Sequence, residues 1–179
     1  MVSILKVQDI KHTNDTSAMS IDASGRILTP ARPAFSVRGS VGSWVSVADG
    51  QEITIVLNTA DINVGSYFNT STYKFTAPIA GLYQVQAMTY VRNNGGTQSD
   101  SGSYGYTRIR KSNSAGGDAT TLSSIHGYVN SGDNDQTHPI HGVVNMAVND
   151  TLSLHLSSEG GGTSEYYGVY CSMSGFLIG

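Results

Sequence analysis

Residues 67–91 read YFNTSTYKFTAPIAGLYQVQAMTYV and carry two signals in one stretch. From Leu82 onward the chain alternates, with Leu82, Gln84, Gln86, Met88 and Tyr90 on one side and Tyr83, Val85, Ala87, Thr89 and Val91 on the other. An extended chain sends successive side chains to opposite faces of a sheet, so the second, more apolar set is predicted to face a core. Just upstream, Phe75, Pro78, Gly81 and Tyr83 mark a strand that ends, turns and re-enters a sheet. Pro78 lacks the N–H needed to continue a ladder, Gly81 is expected to tolerate a turn closed to bulkier residues, and Tyr83 to fill the core.

The same grammar runs outward in both directions. Ile53, Ile55 and Leu57 are in phase around a strand expected at Thr54–Asn58, and Leu152, Leu154 and Leu156 share a face in Thr151–Leu156, which follows the Asn149-Asp150 turn pair. Further strands are predicted at Tyr104–Lys111, Ala119–Tyr128, His141–Met146 and within Tyr167–Ile178. Polar, glycine-containing loops are expected at Asn93–Gly102, Ser112–Asp118, Ser131–Pro139 and Ser157–Glu165. Short strands at this spacing predict an all-β, two-sheet antiparallel sandwich or jelly roll, not alternating βα units. Residues 1–28 behave differently: Ile4–Ile10 and Ala18–Leu28 are short β-like pieces around the polar HTNDTS turn, followed by Thr29-Pro30-Ala31-Arg32-Pro33. The expected division is an N-terminal arm and proline-containing linker over 1–32 and a head over 33–179. An arm this short cannot enclose a core alone and is expected to pack on something else.

Composition narrows the function. The 179 residues suit one domain with an appendage, and 39% hydrophobic with 13% charged residues argues against a disordered chain. Ten Lys plus Arg against thirteen Asp plus Glu give a net charge of −3, so no nucleic-acid partner is expected. The one basic run, Arg108-Ile109-Arg110-Lys111, reads as a solvated strand edge. Cys171 stands alone, which excludes an intrachain disulfide, and is expected to be a buried, inert thiol. The first residues lack the apolar stretch of a secretory signal, and no run approaches the ~20 apolar residues of a spanning helix, so synthesis in the cytoplasm and no membrane insertion are expected. No phosphate-binding loop or Gly-x-Ser-x-Gly elbow occurs, and Glu159 and Glu165 flank a Gly-rich tract instead of rigid elements; no enzyme is expected. His138 and His141, with His126 and His155, lack a cysteine or carboxylate at zinc-ligand spacing and are expected to face solvent or an interface. The candidate ligand-binding residues are Tyr104 and Tyr106, and Tyr166 and Tyr167 beside the GGGTSE tract, where rigid aromatic platforms adjoin adaptable polar groups.

Four pieces appear together and in order: AFSV at Ala34–Val37, YFNTSTYKFTAPIAGLY at Tyr67–Tyr83, VNDTLSLHL at Val148–Leu156 and SGFLIG at Ser174–Gly179. Over about Pro33–Gly179 they resemble the globular head of the complement one-q subunit, which shares its jelly roll with tumour necrosis factor. Phe35, Tyr67, Phe75, Pro78, Gly81, Tyr83, Gly175 and Phe176 are the residues of that pattern. The resemblance implies a homotrimer and makes calcium the one cofactor to consider, at Asp133 and Asp135, where a plain polar turn is the favoured alternative. No Gly recurs at every third residue, so a collagen stalk is excluded. Thr16–Pro30, TSAMSIDASGRILTP, resembles instead the short β segments of bacteriophage fibre and virion surface proteins. The expectation is a non-enzymatic, trimeric phage fibre or fibre-tip module on the virion surface. It would be held to other virion proteins through residues 1–28 and would bind a host surface glycan or protein. The alternative is a capsid decoration or head-fibre protein.

Overall fold

The computed structural model describes residues 7–93, 104–113, 115, 117–127 and 135–178, with backbone alone for 93, 118–121 and 124–127. The chain divides into two compact units, Met1–Arg32 and Pro33–Gly179. In the first, β1 (Asp9–Lys11), β2 (Ser17–Ile21) and β3 (Ile27–Leu28) form an antiparallel sheet in chain order. The expected Ala18–Leu28 piece is split by a turn the residues themselves build. Asp22 Oδ1 accepts the amides of Ser24 and Arg26, and Gly25 takes φ +78°, where a side chain would be strained.

The second unit is all-β and antiparallel. Its strands are β4 (Ala34–Arg38), β5 (Trp44–Val47), β6 (Gln51–Thr54), β7 (Thr59–Val64), β8 (Phe68–Asn69), β9 (Lys74–Thr76), β10 (Gly81–Asn93), β11 (Tyr104–Ser112), β12 (Asp118–Gly127), β13 (Gln136–Met146), β14 (Thr151–Glu159), β15 (Ser164–Tyr167) and β16 (Ser172–Leu177), with a 3-10 turn at Gly168–Tyr170. One sheet is organised around β10. β13 runs along one edge, and β16 and β15 share the other in tandem, followed by β4 and β7 beyond β16 and by β5 beyond β15. The second sheet has the order β12-β11-β14-β9-β8, with β6 also on β14.

The core lies between the sheets, where the alternation placed it. Tyr83, Val85, Ala87, Thr89 and Val91 are buried, as are Leu152, Leu154 and Leu156. Phe35 stacks on Phe75 at 4.5 Å between ring centroids, and Phe75 meets Tyr83 edge-on at 5.5 Å. Gly175 admits Phe35: a Cβ there would lie 3.0 Å from its ring and 2.9 Å from the Gln84 carbonyl oxygen. The buried hydroxyls of Thr89 and Thr107, one from each sheet, satisfy each other at 2.8 Å.

Four local expectations change. The ladder of β6 stops at Thr54, and the chain then crosses from one sheet to the other; Ile55 and Leu57 are fully buried in the crossing without pairing as a strand. β13 begins at Gln136 and takes Pro139 into the ladder opposite Met88. Among the described residues β13 has no second ladder partner, and a proline is tolerated at such an edge because the outward N–H is not needed. The loop expected over Ser157–Glu165 shrinks to 160–163, because its ends continue β14 and β15. Gly81 is not in a glycine-only conformation; it pairs with Met146 as the first residue of β10, and Pro78 alone accounts for the break after β9.

Candidate functional site

The outward face of the β10 sheet has three zones set by register. At one end, Gln84 lies between Val143 and Phe176, and Leu82 follows on the same face. Here Leu82, Val143 and Phe176 are 46–51% exposed. Phe176 therefore belongs to the outward face, whereas its neighbour Gly175 packs inward. In the middle, Gln86 donates to Ser174 Oγ at 3.0 Å, beside His141.

At the far end the sheet gathers rings from four segments. Tyr166 pairs with Val91 and Val45 on the core side, so the next residues along β15 and β5, Tyr167 and Trp44, are paired to each other and turn outward. Trp44 stacks on Tyr90 at 5.6 Å and meets Tyr167 edge-on at 5.2 Å. Tyr170, from the 3-10 turn, stacks on Tyr167 at 5.4 Å and meets Tyr90 edge-on at 5.2 Å. Polar partners hold the rings in place. The Arg92 guanidinium lies 4.0 Å from the Trp44 ring centroid and donates to Glu165 at 2.9 Å, and Ser46 donates to the other Glu165 oxygen at 2.7 Å. The Tyr167 hydroxyl donates to the Gly42 carbonyl at 2.8 Å. The Tyr90 hydroxyl donates to Asp135 Oδ2 at 2.5 Å, a bond that holds the phenol in its protonated form and pushes its pKa up. A cleft of about 300 Å³ opens beside these rings, lined by Met88, Tyr90, Thr137 and Tyr170.

Of the four candidate tyrosines, only Tyr167 belongs to this cluster. Tyr166 is 1% exposed, with its hydroxyl accepting the Val56 amide, so it is a core residue and not a binding residue. Tyr104 and Tyr106 stand on β11 in the other sheet, edge to face at 5.3 Å, and are strand residues, not loop platforms. Asp133 lies outside the described residues, and Asp135 serves Tyr90. Trp44, Tyr90 and Tyr170 were missed because they are distant in sequence. The one available signal was Tyr90, on the outward side of the strand that decided the fold.

A second correction concerns Arg108 and Arg110. β11 lies between β12 and β14, so the basic run is no sheet edge. Both arginines point outward and converge on Glu52 of β6: Arg108 Nη1 donates to Oε2 at 2.5 Å, Arg110 Nη2 donates to the same oxygen at 2.7 Å, and Arg110 Nε pairs with Oε1. His155 Nδ1 is 3.2 Å from that carboxylate, and Arg108 stacks over Tyr106 at 4.0 Å. Burial pushes the Glu52 carboxyl up, but the hydrogen bonds of Arg110 and Arg108, with the charges of Arg110 and His155, outweigh it and hold the group below its ordinary range.

The remaining candidates separate. His138 is opposite Thr89 on the core side, where burial lowers its pKa, whereas His141 is opposite Gln86 on the outward side; three residues apart on a strand, they cannot converge. Among the described residues no three His, Cys, Asp or Glu side chains gather as a metal site. Cys171 is buried, and desolvation pushes its thiol up to about 11, the opposite of what a nucleophile needs.

No protein-family model and no curated protein matches the chain. Among solved structures, Eiger, a tumour necrosis factor from S. frugiperda, superposes with a TM-score of 0.60 at 12% identity, over 83% of this chain and 94% of its own. The globular domain of zebrafish complement 1qA protein has a TM-score of 0.49 at 15% identity, over 83% of this chain and 98% of its own. Identities this low speak for the fold alone. The chain carries an all-β, antiparallel jelly roll of the tumour necrosis factor type.

Proposed function

We propose that the chain is a non-enzymatic, homotrimeric surface module of a virion, attached through residues 1–28 and presenting its jelly-roll heads to a host surface glycan or protein. The observation that carries the trimer is the apolar zone of Leu82, Val143 and Phe176, half exposed on one face of a well-packed sheet. Exposed apolar side chains grouped in this way are what a protein–protein contact covers, and a second copy supplies the same chemistry. The fold shared with Eiger is consistent with this assembly. The attachment rests on the separateness of Met1–Arg32 and on its exposed Ile10, Ile27 and Leu28, which a three-stranded sheet cannot cover by itself.

Sedimentation of the purified chain at micromolar concentration is expected to give three chains per particle. Phe176→Asp is expected to give folded monomers, because that side chain is exposed in the single chain but would be desolvated between copies. A wild-type monomer, or a Phe176→Asp trimer, would refute the assembly. Deleting residues 1–28 is expected to leave the head trimeric while abolishing its incorporation into particles; truncated heads that still join particles would refute the attachment.

A further inference from the structure

We propose that the aromatic end of the β10 sheet is a binding site for a neutral pyranose, with Tyr90, Tyr170 and Thr137 lining the subsite and Asp135 at its rim. The proposal rests on reading the chain as a surface-binding module and gives that module a place and a ligand class. The apolar C–H faces of a pyranose ring stack on aromatic rings, and its rim of hydroxyls asks for acceptors and donors at the edge of the same cavity. Both are present here. Tyr170 is 56% exposed, and the cleft of about 300 Å³ matches the lower end of small-ligand sites. The exposed hydroxyl of Thr137 and the exposed carboxylate of Asp135 supply the polar edge.

Three further observations favour a sugar. Tyr90 and Tyr167 are held before any ligand arrives by the bonds Tyr90–Asp135 and Tyr167–Gly42, and Tyr170 packs against both rings, which lowers the ordering entropy that opposes a weak ligand. Among the described residues at the cluster, the two carboxylates of Asp135 and Glu165 exceed the guanidinium of Arg92, which disfavours anionic sugars. A protein partner lying over the cleft would desolvate the Asp135 carboxylate, at a cost unless it brought a cation, whereas sugar hydroxyls donate to it directly. Along β10, Leu82 and Tyr90 are eight residues, or about 26 Å, apart at the rise of an extended chain. The polar Gln86–Ser174 zone separates them, so three copies can meet through the apolar end and leave the aromatic end open.

Trp44 is the only tryptophan and touches both Tyr90 and Tyr167, so its emission reports on the cluster. The full-length protein is titrated with neutral methyl pyranosides of the gluco, galacto and N-acetylgluco series, with sedimentation measured on the same samples. The expected result is a saturable change in Trp44 emission with at least one of them, half-complete at a concentration on the order of millimolar. Tyr170→Ala is expected to raise that concentration about tenfold or more, with far-UV circular dichroism and sedimentation unchanged. Thr137→Val serves as a second, milder variant should Tyr170→Ala fail to fold. No saturable response to any member of the panel overturns the site, as does a response that both variants leave intact. Loss of the trimer in Tyr170→Ala without a sugar response overturns it too, and assigns the cleft to a second copy of the chain. A trimer that ignores the sugars refutes the site alone, and a monomer that binds them refutes the assembly alone.

Discussion

Gly39→Ala is expected to lower the stability of the head by at least about 3 kcal/mol, the upper part of the range for forcing extra volume into a packed interior. Gly39 is buried just past β4, donates its amide to the Cys171 carbonyl at 3.0 Å, and lies where three backbone segments meet. A Cβ there would sit 2.3 Å from the Gly168 carbonyl oxygen and 2.8 Å from that of Val56. Both obstacles are main chain, so no side-chain rotation relieves the clash, and the crossing segment after β6 or the turn at Gly168–Tyr170 must move. For a unit of this size the loss corresponds to a fall of roughly 6–12 °C in the thermal midpoint. Gly42→Ala is the matched control, since nothing lies within 4 Å of a Cβ at that position, and its change is expected within about 0.5 kcal/mol. Equal midpoints for the two variants would refute the close-approach account.

Glu52→Ala is expected to cost about 2–3 kcal/mol. Removing the carboxylate that accepts from both Arg108 and Arg110 takes their shared counter-charge from two guanidinium groups that are 17% and 25% exposed. Fully buried pairs broken in this way lose about 3–5 kcal/mol, and the partial exposure here reduces the figure. Because the folded carboxyl titrates below its ordinary 4.5, its contribution is complete above that pH and is lost as pH falls through the lower, folded value. Urea denaturation at pH 7 and at pH 3 checks both statements. The gap between wild type and Glu52→Ala is expected to be wide at pH 7 and to narrow at pH 3. A gap independent of pH would show that the ion cluster is not its source.

Much of the head was legible because its information is local. Alternation along Leu82–Val91 and Thr151–Leu156 specifies which side chains leave water, and a two-residue period survives any uncertainty about which strand lies alongside. The Asn149-Asp150 turn was legible for the same reason: Asn149 takes φ +68°, and Asp150 Oδ2 accepts the Ala147 amide at 2.9 Å. Errors arose where a neighbour overruled the local signal. Ile55 and Leu57 alternate as a strand does, yet they fill the core from a segment that changes sheets, because burial requires an apolar residue and not a ladder. Arg108 and Arg110 look like a solvated edge until Glu52, more than fifty residues away, is brought across β14 to meet them. Tyr166 and Tyr167 are adjacent and chemically identical, but one fills the core and the other joins the outward aromatic cluster, since consecutive strand residues face opposite ways and only pairing says which way each faces.

The residues alone determined that this chain is all-β, where its core residues lie along the strands, and that its first thirty-two residues follow a different pattern, because period and turn chemistry act within a few positions. Tertiary structure alone decided which outward side chains meet: Trp44, Tyr90, Tyr167 and Tyr170 at one end of a sheet, and Glu52 with Arg108, Arg110 and His155 on the other sheet. These groupings depend on strand order and register, which are set by the sum of long-range packing and backbone pairing and leave no trace in any short stretch of sequence.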